Sequence, residues 1–148
     1  MGIRRWLLRA VLATIAFPLS VHASLGGNST SIQDDGSRMA ASVQTVPASQ
    51  YTQFDLQLPS GSTVREYLSP GGTVFAVTWE GPSLPDLRQI LGGYFQRYVD
   101  SSQGGGPGAR AIQQSDFVVY TGGRMRAFRG RAYVPQLVPS GVGAENLP

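Results

Sequence analysis

Few residues in this 148-residue chain can carry chemistry. The only histidine is His22, cysteine and lysine are absent, and all 12 basic residues are arginine. Residues 24–148 therefore have no imidazole base, thiol nucleophile or Schiff-base amine, and no nitrogen or sulfur ligand for zinc or copper. No cofactor and no metal site is expected. Carboxylates are left as general acids and bases. Glu66 and Glu80 are the candidate pair, because adjacent antiparallel strands can hold two carboxyls about 5–10 Å apart, as a glycosidase-like mechanism requires. The simpler reading pairs Glu66 with an arginine and leaves Glu80 as a solvated strand end.

The second cluster is "RMRAFRGR". Arg124, Arg126, Arg129 and Arg131 lie in a stretch with no acid between Asp116 and Glu145. Guanidinium forks match phosphate and carboxylate groups bidentately, so the cluster is a candidate anion-binding stripe. Strict alternation puts Arg124 and Arg126 on one face, and Arg129 and Arg131 on the other. Charge on both faces predicts an edge strand, or a bulge near Gly130; either would also deter edge-to-edge aggregation.

Trp79, Tyr94, Phe95 and Tyr98 could form a sugar-binding shelf, but a tryptophan beside the apolar face of a helix is more often core. The stretch "TVFAVTWEGPSLPDLRQILGGYF" reads instead as the spine of the fold. Its structural positions are Trp79, Gly81, Pro82, Pro85, Asp86 and Gly92, with Glu66 and Tyr67 on the preceding strand.

These residues are carried by elements that the pattern predicts. "YTQFDLQL" alternates, as does "TVREYL", where Val64, Glu66 and Leu68 share a face. "TVFAVTW" is apolar on both faces and suits the centre of a sheet. Ser83 and Asp86 form an S-x-x-D capping pattern, with Pro85 in the first helical turn. Leu84, Leu87, Ile90, Leu91, Tyr94, Phe95, Tyr98 and Val99 then trace one helical face. Gly92 and Gly93 are read as a close approach of that helix to the sheet rather than a break. "SSQGGGPGAR" is a loop without the Gly-Lys-Ser/Thr ending of a phosphate-binding loop. "DFVVYTGGRMRAFRGRAYV" is a hairpin turning at Gly122-Gly123, and "PQLVPSGVGAENLP" is coil laid across the domain. The expected fold is α+β, a five-stranded antiparallel sheet in β-β-β-α-β-β order with one helix on one face.

The N-terminus sets the expected compartment. Arg4, Arg5 and Arg9, an apolar run over residues 10–21 and "VHA" ending at Ala23 have the anatomy of a secretory signal peptide. The run is shorter than the roughly 20 residues a bilayer span needs. Cleavage after Ala23 would leave nine arginines against nine acids, removing the electrostatic support for nucleic-acid binding. Residues 24–50 are small, polar and aperiodic, and read as a flexible arm ahead of a domain at 51–148. "NST" at Asn28 matches a glycosylation sequon, with nothing else to support that use.

"TVREYLSPGGTVFAVTWEGPSLPDLRQILGGYF" and "VVYTGGRMRAFRGRAYVPQLVPSGV", with "SLGG" after the cleavage motif, resemble the bacterial exported proteins catalogued as domain of unknown function 2844. The resemblance implies export and brings no activity, cofactor or catalytic residue. Arg124 stands where the family's hairpin often carries histidine. Two function classes follow: a non-enzymatic periplasmic or envelope protein that binds a partner or anionic envelope component, or a small hydrolase of an envelope polymer using Glu66 and Glu80.

Overall fold

A computed structural model of the chain describes residues 24–101 and 109–148. The predicted signal peptide lies outside the described residues. The elements run α1 (Ser29–Arg38), β1 (Ser42–Pro47), β2 (Thr52–Gln57), β3 (Thr63–Leu68), β4 (Val74–Gly81), α2 (Leu87–Leu91), α3 (Phe95–Ser101), β5 (Arg110–Gln113), β6 (Val118–Arg124) and β7 (Ala127–Tyr133). All seven strands pair antiparallel in the order β1-β2-β3-β4-β7-β6-β5. The fold is α+β, as expected, but with seven strands rather than five.

Two strands and a helix escaped the pattern. Residues 24–50 are not a loose arm: they form α1 and β1. Asn28 caps α1 reciprocally, its side chain accepting from Ser31 N–H at 3.1 Å while Ser31 Oγ accepts from Asn28 N–H at 2.9 Å. The same asparagine that matches a sequon is thus a helix cap. The stretch predicted as a Gly-rich loop lies mostly outside the described residues, and β5 after it is only four residues long.

The sheet has two unlike faces. Val64, Glu66, Val77, Trp79, Val119 and Ala132 point to the face covered by α1, α2 and α3. There they join Leu25, Ile32, Leu87, Ile90, Leu91 and Phe117 in the main core. The opposite face carries Arg65, Tyr67, Thr78, Glu80, Arg129 and Arg131. An irregularity after Tyr67 leaves Phe75 unpaired, and Tyr67, Phe75 and Ala76 make a smaller core there, covered by the tail through Leu137, Val138, Val142 and Leu147. The expected tail placement holds, and it leaves the β4-β7-β6 part of this face open. Among the described residues no helix is long and apolar enough to cross a membrane.

The spine departs from its prediction at both ends of α2. Asp86 is a cap, as expected, but of a helix beginning at Leu87: its carboxylate accepts from Arg88 N–H at 2.9 Å and Gln89 N–H at 3.2 Å. Pro85 precedes that cap and is buried, and Ser83 is engaged elsewhere. Nor do the glycines mark a close approach. A Cβ on Gly93 would meet nothing, and Gly92 adopts φ +50, ending α2 before a short 3-10 turn leads into α3. The apolar spacing continues through the break because the turn preserves the direction of the face.

Candidate functional site: a cleft on the open face

The arginine hairpin turns at Met125-Arg126, not at Gly122-Gly123, because Gly122 and Gly123 are paired within β6. This shift removes the two-faced charge that argued for an edge. Arg126 sits in the turn at φ +67, while Arg124, the last residue of β6, and Arg129 and Arg131 of β7 all face the open side. β7 is not an edge strand either; it lies between β4 and β6. Gly130 marks no bulge. Its register is regular, and a Cβ there would fall 2.3 Å from Cζ2 of Trp79 and 2.7 Å from the Tyr120 carbonyl oxygen. The missing side chain lets the indole lie on the backbone of β7. Trp79 is 2% exposed, a core residue, with its buried indole N–H lacking an acceptor. Tyr94 stacks on Phe117 at 5.1 Å between centroids, and Phe95 and Tyr98 pack on the same core, so the four aromatics form no shelf.

Arg129 and Arg131 line a cleft of about 660 Å³ on the open face, with Arg65, Glu80, Tyr120 and Pro148 around it. Arg65 is neutralised: its Nη2 lies 2.7 Å from Glu80 and its Nε 3.7 Å from Asp55. Arg131 lies over the Tyr120 ring, 5.4 Å from its centroid, and Gln113 donates to the Tyr120 hydroxyl. Among the described residues neither Arg129 nor Arg131 has an ion-pair partner. Stacking fixes one guanidinium and leaves its edge available to an anion. Arg124 and Arg126 lie toward the hairpin tip, beside a second depression lined also by Pro82, Phe128 and, from the cleft itself, Glu80 and Arg129. The predicted stripe is therefore spread over two adjoining depressions, with Arg131 in the first, Arg124 and Arg126 in the second, and Arg129 lining both.

At one end of the cleft Tyr67 and Thr78 each donate a hydroxyl to the Pro148 carbonyl oxygen at 2.7 Å. Burial pushes the Tyr67 phenol up to about 12, keeping it a donor. Glu80 lines the cleft and leads into the Gly81-Pro82 corner, which lines the second depression. There Gly81 adopts φ +144 and a Cβ would collide with Ser62, whose Oγ donates to Ser83 C=O at 2.6 Å and accepts from Ser83 N–H at 3.0 Å. Ser62 holds this corner, although nothing in the alternation around it singles it out.

The carboxylate pair does not assemble. Glu66 is wholly buried on the helix face, whereas Glu80 is exposed on the opposite face and bound to Arg65. No substrate can bridge the sheet between them, and no arginine neutralises Glu66. Its neighbour is instead Asp35 of α1, also wholly buried. Both oxygens of Glu66 and Oδ2 of Asp35 have no hydrogen-bond partner, while Gln89 Nε2 donates to Asp35 Oδ1. A proton on one carboxyl supplies the missing donor. Burial first, then the facing Asp35 carboxyl, raises Glu66 well above the usual carboxylate range; burial pushes Asp35 up to about 6. The sequence concealed this pair because Asp35 lies in a segment with too little apolar content to read as a helix.

A family model described as "Protein of unknown function (DUF2844)" matches residues 21–147. The match begins just before α1 and ends within the tail, taking in both structured segments outside the predicted domain. The chain belongs to this family. No curated protein and no solved structure matches it.

Proposed function

We propose that this DUF2844 protein is an exported, non-catalytic binding module that takes an anionic group of an envelope component into the cleft on the open face of its sheet. The observation that carries the reading is the Arg129–Arg131 pair: two guanidiniums on one face of a central strand, without acidic partners, one of them fixed against Tyr120. A strand interior normally avoids adjacent like charges, and two left unneutralised beside a cleft suit a bidentate carboxylate or phosphate ligand. Arg65 already has its acids and serves to hold the wall. Export rests on the sequence before Ser24, with cleavage after Ala23 and release into the periplasm or medium.

The test compares Arg129→Gln/Arg131→Gln with Arg124→Gln/Arg126→Gln in the chain starting at Ser24. Retention on polygalacturonate and on phosphatidylglycerol vesicles is measured against salt. The cleft pair is expected to lose about tenfold or more in affinity, as expected for charge-assisted contacts, and the tip pair much less. Equal loss from both pairs would make the hairpin tip part of the surface. No binding by the parent chain at low salt would sink the reading.

A further inference from the structure

The Asp35–Glu66 pair joins α1 to the sheet at a place where ionisation has no compensation. Around it, β2 and β4 present Phe54 and Val77 as the register partners of Glu66, α2 presents the Gln89 amide, and α1 itself carries Asp34 and Arg38. Arg38 is exposed at the helix end, so it offsets little of the buried charge. Two wholly buried carboxyls with three unpartnered oxygens want a cation, and no described side chain delivers one into the core.

The backbone that cleavage after Ala23 would make cationic is at Ser24. It is wholly buried, with φ +97, and its hydroxyl donates to the Gln89 carbonyl. Leu25 N–H continues the attachment, donating to Ile90 C=O at 3.2 Å. Gln89 thus holds Ser24 with its backbone and Asp35 with its side-chain amide, so one residue separates them. Ser24 also directly follows the Val-x-Ala motif.

We propose that the α-ammonium released at Ser24 by cleavage after Ala23 is the counter-charge of the Asp35–Glu66 pair, so that processing locks α1 onto the sheet. The inference rests on the export reading given above. Before cleavage the same atom is an uncharged amide, and the pair must keep a proton to remain buried. After cleavage a positive charge sits on the residue that shares Gln89 with Asp35, and low local polarity strengthens its attraction to the pair. Maturation then converts a proton-dependent contact into one that persists at neutral pH.

The experiment uses three forms of the chain: one beginning at Ser24, one N-acetylated there, and one carrying an extra glycine before it. Melting is followed from pH 4 to 9, alongside the intact mass of protein exported from the full precursor. At pH 7.5 the Ser24 form is expected to melt on the order of 3–8 °C above both others. The gap should close near pH 4, where the carboxyls are protonated, and shrink in Glu66→Gln and in Asp35→Asn. Equal melting of all three forms, or a gap unchanged in both variants, overturns the proposal. The Ser24 α-amine should also titrate above its ordinary range, read from the pH dependence of its acylation; an ordinary value counts against the proposal. Failure of the precursor to be exported overturns the export reading and the inference with it, a mature mass beginning elsewhere than Ser24 overturns the cleavage site and the inference, and correct cleavage without a melting gap overturns the inference alone.

Discussion

Glu66 shows how position changes what a residue type can do. On paper it is a general acid; in the fold it is a buried carboxyl facing another. Both Glu66 and Asp35 bind protons more tightly folded than unfolded, because burial penalises their charged forms. With Ser24 acylated, stability should therefore be greatest below about pH 4, the unfolded carboxyl range, and fall as pH rises through about 6 for Asp35 and beyond for Glu66. Glu66→Gln in the acetylated chain should raise stability by about 1–3 kcal/mol at pH 8 and flatten the profile, measured by urea unfolding across pH. Gly130 is the converse case, a residue whose lack of a side chain is its role. Gly130→Ala puts a methyl group into the Trp79 ring and should cost about 1–3 kcal/mol, with a changed tryptophan emission as the signature of a displaced indole.

At the level of elements, short pieces are held by their ends. α2 has only five residues, too few to be stable alone, and depends on Asp86 satisfying two of its first N–H groups. Asp86→Ala should lower stability by about 1 kcal/mol, and Asp86→Asn by less, since asparagine also caps well. Thermal unfolding of the two variants checks this. The β6–β7 hairpin makes a different point. One displaced turn moved Arg126 out of the strand and put Arg124 on the face of Arg129 and Arg131, and the expected edge strand is an interior strand with a charged side.

Across the whole molecule, the sheet is closed on one face by helices and half-closed on the other by the tail. Leu137, Val138, Val142 and Leu147 shield Tyr67 and Phe75, and Pro148 takes two buried hydroxyls. Ending the chain at Val134 would uncover this smaller core. Burying each large apolar side chain is worth about 1.5–3 kcal/mol, so the truncated chain should lose about 4 kcal/mol or more. It should also bind a hydrophobic dye, while a chain retaining both features at parental levels would make the tail dispensable.

What the sequence alone determined was local. Alternation placed Glu66 with Val64 and Leu68, the doubly apolar run placed β4 at the sheet centre, Asp86 was a cap, and the motif string named the family. Each of these depends on neighbours within a few residues, where pattern and chemistry coincide. The tertiary structure decided the rest. The mostly polar residues 24–50 became α1 and β1 because the sheet buries Ile32 of α1, and because β2 offers its edge for pairing to β1, which stays largely exposed. Glu66 and Glu80 were parted because Glu80 pairs with Thr63, an odd number of positions from Glu66, and strand pleating sends such residues to opposite faces. Asp35 met Glu66, and Arg129 and Arg131 met a cleft, only because strands and helices distant in sequence pack together. A contact between distant residues leaves no periodicity in the chain, and the chemistry of this protein is made of such contacts.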